Sequence, residues 1–188
     1  IEKMLKRILS DKKSSIHKRW FEHIIGTYPP DSRQFLKRTK DNMSNPVGTA
    51  VFEALGPLFD GILDGSDAAG LAPHLDKILR IRAVQEFSAS EAVEFVFALK
   101  RVVREELKDA LKESAVSGGL AEFDNNVDNA ALAGFDVYMQ CREKIYEIRA
   151  TDIKNRTFAV LERRGLISRD FEDEAREGLI VLKKEEER

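Results

Sequence analysis

The fold signals of this chain are concentrated in residues 20–48, which read WFEHIIGTYPPDSRQFLKRTKDNMSNPVG. Trp20 belongs to an amphipathic pattern that predicts a helix in the first part of this stretch. Pro29 and Pro30 end that helix, because a proline disfavours helical geometry in the residue before it. The stretch therefore predicts a helix that ends just before Pro29.

The same stretch also indicates where the next two helices begin. Asp31 or Ser32 is expected to cap a short third helix, since both side chains accept hydrogen bonds from free backbone N–H groups. Asn45 is a good N-cap for the fourth helix, and Pro46 is favoured at its first position, where the missing N–H would be unpaired anyway. We expect a kink where Pro57 removes a backbone hydrogen bond inside that helix.

Outside this stretch, every strong periodic signal is also helical. We expect a fifth helix over residues 71–87 and a sixth that begins at Ser88 or Ser90 and is apolar nearly all round in its first half, as core helices are. A Ser-Gly-Gly break at residues 117–119 should precede the longest helix, over residues 120–164. The predicted fold is an all-α bundle of about six to seven helices with a long C-terminal helix.

The long helix has a seam of apolar residues that lie alternately three and four positions apart. This near-heptad pattern is typical of helices that pack against a partner helix. No other predicted helix is long enough to cover the whole seam, so we expect a homodimer. The residues predicted to form the dimer seam are Phe123, Val127, Tyr138, Cys141 and Ile145.

The composition fits one soluble domain in a reducing compartment. Apolar residues make up 43% of the 188 and charged residues 34%, as is usual for globular helical proteins. No apolar run approaches the ~20 residues that span a bilayer, and the single cysteine excludes an internal disulfide. We therefore expect a cytoplasmic protein, with a domain over residues 1–164 and a charged tail over residues 165–188 that is partly helical or flexible.

The charges are unevenly distributed along the chain. Residues 1–40 contain 11 Lys and Arg against 4 Asp and Glu, a net charge of +7, whereas residues 41–161 contain 13 against 20, a net charge of −7. The basic segment could face nucleic acid or an acidic membrane surface. A charge match within the molecule is the more common cause of such an asymmetry, so nucleic-acid binding is not the expected function.

Patterns for metal binding and catalysis are weak in the sequence. A di-iron bundle needs Glu-x-x-His pairs, whereas Glu22 and His23 are adjacent and point in different directions. The group Asp60, Asp64 and Asp67 does not have the ligand spacing of a helix–loop–helix calcium site. There is no Gly-rich phosphate loop and no elbow around a nucleophilic Ser. We expect no metal, no cofactor and no enzymatic activity.

In their order and spacing, these motifs resemble the N-terminal domain family of the RsbRD-type proteins, the co-antagonists of the RsbT kinase in the bacterial stressosome. The resemblance covers roughly residues 1–164 and rests on Lys18-Arg19-Trp20, Tyr28-Pro29, Phe35-Leu36, Asn45-Pro46-Val47-Gly48 and Leu58-Phe59-Asp60-Gly61. The residues assigned to the family motif are Trp20, Tyr28, Pro29, Asn45, Pro46, Gly48, Phe59, Asp60 and Gly61.

The resemblance implies a globin-like bundle without haem, in which the Pro46 helix corresponds to the distal helix and residues 71–87 to the proximal one. A haem globin needs an axial His midway along the proximal helix, but here His74 falls in its first turn. RsbR-type proteins carry a STAS domain after this one, and too few residues follow Gly165 for it, so the stand-alone form is expected. The implied function is a non-enzymatic sensor or regulatory domain that acts on a signalling partner by protein–protein interaction.

A second hypothesis is a domain that binds a small molecule or a fatty acid. Its apolar pocket would lie between the Pro46 helix and the helix over residues 71–87. The candidate walls are Phe52, Phe59, Leu79 and Phe97. The alternative is that these side chains simply fill the core.

Overall fold

The computed structural model describes residues 2–38, 45–108 and 114–166. These ranges contain helices and no strand. The helices are α1 (Glu2–Asp11), α2 (Lys13–Gly26), α3 (Pro30–Leu36), α4 (Pro46–Asp64), α5 (Ala68–Val84), α6 (Ala89–Glu106) and α7 (Ser114–Arg163). The predicted all-α class and the long C-terminal helix are confirmed. Most of the predicted tail lies outside the described residues.

Helix α4 begins and ends where the sequence indicates. The backbone N–H of Gly48 donates to Asn45 Oδ1 at 2.9 Å, and Pro46 is the first helical residue. The helix ends at Gly65, whose φ of 69° is in the left-handed region that a residue without Cβ adopts easily. It continues through Pro57, and the predicted kink there stays a prediction.

The starts of the neighbouring helices α3 and α5 differ from the prediction. Helix α3 begins at Pro30 with Pro29 as its N-cap, and not at a cap from Asp31 or Ser32, because proline fits the first helical turn without losing a bond. Helix α5 begins earlier than predicted, since Asp67 Oδ1 accepts the N–H of Gly70 at 2.9 Å.

Helix α6 starts with a capping box. Ser88 Oγ accepts the N–H of Glu91, and the Glu91 carboxylate accepts the N–H of Ser88 at 2.9 Å. Ser88 is thus the cap, and Ser90 lies inside the helix.

The core lies between α2, α4, α5, α6 and the first part of α7. Helix α4 packs mainly against α5, and α2 packs against α6. The Pro46 helix therefore packs beside the Leu79 helix, as both the globin-like arrangement and the pocket hypothesis require. The largest apolar side chains with almost no exposure include Trp20, Phe59, Phe95, Leu55, Leu58 and Ile62.

The Ser-Gly-Gly sequence at residues 117–119 does not interrupt the helix, because α7 begins at Ser114 and continues through it. A Cβ on Gly119 would lie 2.9 Å from Leu5 Cδ2 and 3.2 Å from Leu5 Cβ. The second glycine therefore allows α1 to approach α7 closely. Gly119 is therefore needed for close helix packing and does not mark a loop.

The contacts divide the chain into two compact units, residues 1–142 and residues 143–188. The described part of the second unit comprises the end of α7 and the three residues that follow it, and most of its side chains are exposed. No helix in the described ranges combines the length and the apolar character that a membrane span requires.

Candidate functional site

The Asn45 side chain joins α3 to α4. It is fully buried, and besides capping α4 its Nδ2 donates to the backbone oxygens of Phe35, Leu36 and Arg38 at 3.1, 2.9 and 3.2 Å. Gly48 is required beside it, because a Cβ there would lie 2.2 Å from the Leu36 carbonyl oxygen. These two motif residues therefore have a structural role.

Other motif residues also hold helices together. Trp20 is fully buried, and its Nε1 donates to the Phe95 carbonyl oxygen at 2.7 Å, which fixes α2 on α6. Asp60 forms an exposed salt bridge with Lys13 at 2.6 Å. A Cβ on Gly61 would lie 2.7 Å from Leu71 Cδ2, so this glycine permits the close approach of α4 and α5.

The four predicted pocket walls lie in different surroundings. Phe59 and Leu79 are almost completely buried in the core, and Phe52 packs on α2 through its ring contact with Phe21, 5.2 Å between centroids. Phe97 is 48% exposed and faces solvent, which corrects its assignment as the wall of an internal pocket. The helical period of α6 includes Phe97 among apolar neighbours but does not say which of them face outward.

The predicted dimer seam needs a similar correction. Phe123, Val127 and Tyr138 are at most 3% exposed, because the first unit covers them itself. Cys141 is half-buried, and burial raises the pKa of its thiol, with Asp76 at 3.6 Å adding to the effect. Ile145 belongs to the second unit and is partly exposed. The first three residues are therefore core residues of this chain, and dimerisation stays a prediction.

The basic N-terminal segment is matched by acidic residues of the same chain. Arg19 bonds to Glu106 at 2.9 Å and also pairs with Glu105, while Lys13 pairs with Asp60. These carboxylates belong to the acidic middle of the sequence. The pairs support an intramolecular charge match over a nucleic-acid surface, although exposed pairs of this kind add little stability.

An arginine outside every predicted site lies in the core. Arg82 on α5 is fully buried. Its Nη1 donates to the Glu91 carbonyl oxygen at 2.7 Å, and its Nη2 donates to Thr27 Oγ1 at 3.0 Å. In the described ranges no carboxylate forms a salt bridge with it. The sequence does indicate its burial, since Arg82 follows the apolar stripe Leu75, Ile78 and Leu79 at helical spacing.

Three aromatic rings surround this guanidinium, and we call them the Arg82 cage. The Arg82 Cζ lies 4.9 Å from the ring centroid of Phe87, 5.3 Å from that of Phe95 and 5.9 Å from that of Tyr28. Such cation–π contacts attract an arginine to ring faces. Burial lowers the pKa of the guanidinium, which nevertheless keeps its proton near neutral pH. A positive charge is thus held among neutral partners.

Two polar atoms of the cage form no hydrogen bond of good geometry in the described part of the chain, although the Arg82 and Tyr28 side chains lie close enough to interact with each other. They are Arg82 Nε and the phenol oxygen of Tyr28, which is only 5% exposed as a residue. Burial raises the pKa of Tyr28, and the nearby Arg82 charge offsets part of that rise, so the phenol stays protonated. A buried donor without an acceptor costs about 1–3 kcal/mol. The cage is therefore incompletely satisfied.

A surface cleft opens beside the cage, and we call it the Tyr28 cleft. Its volume is about 450 Å³. It lies where the connection between α2 and α3 meets the turn between α5 and α6. Its lining residues are Tyr28, Pro29, Ser32, Gln85, Glu86, Phe87 and Glu91. Two rings of the Arg82 cage, Tyr28 and Phe87, thus also line the cleft.

The turn between α5 and α6 is tied to α7. The hydroxyl of Tyr138 donates to the Phe87 carbonyl oxygen, and Arg142 Nη1 donates to the Ala83 carbonyl oxygen at 3.0 Å. Between them, Glu86 has a φ of 62°, the one left-handed non-glycine residue in the described ranges. Such a conformation costs about 1 kcal/mol or more and is found at functional sites. Tyr138 is therefore a link between the cleft and α7.

The described residues do not contain a metal-binding cluster of His, Cys, Asp or Glu side chains. Neither a curated protein nor a solved structure gives a significant match to the chain. The family model described as "RsbT co-antagonist protein rsbRD N-terminal domain" matches residues 14–153. The chain therefore belongs to this family of stressosome-related signalling domains.

Proposed function

We propose that this chain is a non-enzymatic regulatory domain of cytoplasmic bacterial stress signalling, and that it acts by protein–protein contact as a homodimer. Membership of the RsbRD N-terminal family supports signalling. The proposed contact surface is a row of exposed apolar side chains in the second unit of the chain.

Three exposed apolar side chains follow one another at steps of seven residues. Tyr146 is 54% exposed, Ile153 66% and Val160 52%. With Ala150 and Thr157 between them, they form alternating steps of four and three along α7. This is the spacing at which one helix packs knobs into the holes of another. We call these five residues the α7 stripe.

The α7 stripe replaces the predicted seam as the proposed contact surface. Phe123, Val127 and Tyr138 are covered by their own unit, whereas the stripe residues expose apolar side chains that a second helix would remove from water. Arg156, which flanks Ile153, pairs with Asp152 at 2.9 Å, so its charge is partly neutralised.

Light scattering coupled to size-exclusion chromatography tests this proposal. We expect a dimer at micromolar concentration for the unaltered chain and a monomer for Ile153→Asp. The matched control is Ile148→Asp, because Ile148 is also 60% exposed on α7 but lies off the stripe. This variant should remain dimeric. A monomeric unaltered chain, or equal disruption by both substitutions, would refute the proposed surface.

A further inference from the structure

The Arg82 cage has few hydrogen-bond acceptors, and Glu94 and Glu91 act on its positive charge only from a distance, without a salt bridge among the described residues. Arg82 Nε and the Tyr28 hydroxyl are buried and form no hydrogen bond of good geometry among the described residues, and the guanidinium has only neutral hydrogen-bond partners. A carboxylate supplies both missing elements, since its two oxygens accept hydrogen bonds and its charge opposes that of Arg82. The cage is therefore complementary to an acidic group.

The opening of the Tyr28 cleft has the opposite charge. Glu86 and Glu91 both line the cleft, and a hydrogen bond from the Ser88 hydroxyl lowers the pKa of the Glu91 carboxyl, which keeps it ionised. A simple anion would be repelled at this entrance. A molecule that carries an ammonium group beside its carboxylate avoids this repulsion, because its positive end meets the two glutamates.

We propose that the Tyr28 cleft binds a small amino-carboxylate zwitterion, with its carboxylate toward the Tyr28 hydroxyl and Arg82 and its ammonium toward Glu86 and Glu91. The phenol oxygen lies below the surface, so binding includes a rotation of the Tyr28 side chain that turns its hydroxyl toward the ligand. An apolar group on the ligand packs on the Phe87 ring and Pro29. This is the chemistry of a free amino acid.

The same geometry connects the ligand to α7. The Tyr28 and Phe87 rings are in contact, with centroids 5.6 Å apart, and the Phe87 carbonyl oxygen accepts the hydroxyl of Tyr138. A ligand that displaces either ring therefore acts on the turn that α7 holds. The inference rests on the proposed signalling function, for which it supplies the chemical class of the signal.

Isothermal titration calorimetry on the full chain tests the proposal, after a thermal-shift screen of the standard L-amino acids. L-phenylalanine is the first probe, and its two halves are the comparison ligands: 2-phenylethylamine lacks the carboxylate and 3-phenylpropionate lacks the ammonium. We expect saturable binding of at least one amino acid, and about tenfold weaker binding of its analogues that lack either charged group. Absence of binding by every amino acid, or equal binding of either analogue, would overturn the proposal.

Two variants separate binding from folding. Tyr28→Phe removes a hydroxyl that has no acceptor in the unliganded protein, so the fold should persist while binding weakens about tenfold. Thr151→Val also removes one hydroxyl, at an exposed position of the second unit outside the α7 stripe, and should leave binding unchanged. Equal affinity of Tyr28→Phe and the unaltered chain would contradict the inferred site.

The association variant distinguishes this inference from the proposed function. Ile153→Asp should bind the amino acid with unchanged affinity, because the α7 stripe and the Tyr28 cleft belong to different units. Ligand binding by a monomeric chain would support the cleft and refute the dimer surface. A dimer that binds no amino acid would do the reverse.

Discussion

Replacement of Asn45 by Ala should destabilise the protein more than the loss of an ordinary helix cap. The cap contributes about 1 kcal/mol. The substitution also leaves the buried Leu36 carbonyl without its 2.9 Å donor, and each such buried group costs about 1–3 kcal/mol. We therefore expect the free energy of unfolding to fall by about 3 kcal/mol, a large part of the 5–15 kcal/mol typical of a domain.

Two further substitutions divide this loss into its parts. Asn45→Ser keeps an acceptor for the Gly48 N–H and loses only the bonds to the carbonyls of Phe35, Leu36 and Arg38, so it should cost about 2 kcal/mol. Asn45→Asp also keeps the cap but directs a negative charge at carbonyl oxygens, so it should be worse than Ala at neutral pH and should improve on acidification.

Urea unfolding followed by circular dichroism measures these differences. Asn155→Ala is the control, because Asn155 is an exposed asparagine on α7 and should change the free energy of unfolding by less than about 0.5 kcal/mol. A loss below about 1 kcal/mol for Asn45→Ala would refute the idea that this amide joins two helices.

Three further predictions concern a glycine, a histidine and the arginine of the cage. Gly48→Ala places a Cβ 2.2 Å from a backbone oxygen and should cost about 3 kcal/mol, whereas Gly56→Ala on the same helix meets nothing within 4 Å and should stabilise by up to about 1 kcal/mol in thermal unfolding. Burial lowers the pKa of His17 from 6.5, so on acidification the unfolded chain protonates this imidazole before the folded chain does. The stability that the neutral His17 contributes should be fully present above pH 6.5 and should decrease as the pH falls toward the lowered pKa. Urea titrations of His17→Gln should lack this pH dependence. Arg82→Met should change the free energy of unfolding by no more than about 1 kcal/mol, because methionine removes a buried charge and fills most of the same volume. Arg82→Ala should lower it by about 3 kcal/mol, because it leaves a cavity. A large loss with Met would mean that the charge itself stabilises the core.

Local signals allowed much of the fold to be predicted from the sequence. The Asn45 cap, the stop at Pro29 and the helix order depend on neighbours within one or two turns, and these predictions are confirmed. The sequence predicts a break at Gly119 where the helix continues, because the contact that needs this glycine is with Leu5, more than a hundred residues away. Sequence periodicity identifies an apolar stripe but not the surface that covers it, so it predicts a dimer seam at Phe123 where the same chain covers this side chain.

The Arg82 cage could not be predicted for the same reason. Arg82 interrupts an apolar stripe, which is visible in the sequence, but its rings come from Tyr28, Phe87 and Phe95 on three separate segments. Only the packing of α2, α5 and α6 brings them together. The Tyr28 cleft likewise forms between two turns that the sequence places far apart.

The burial of Trp20 gives the molecule a built-in optical reporter. Trp20 is the single tryptophan of the chain and belongs to the first unit, where its indole N–H is bound to the Phe95 carbonyl oxygen. Its fluorescence spectrum will shift to longer wavelengths when water enters this core, and it will not respond to melting of the end of α7. Ellipticity records the helices of both units, so a comparison of the two signals measures how far the second unit unfolds independently of the first.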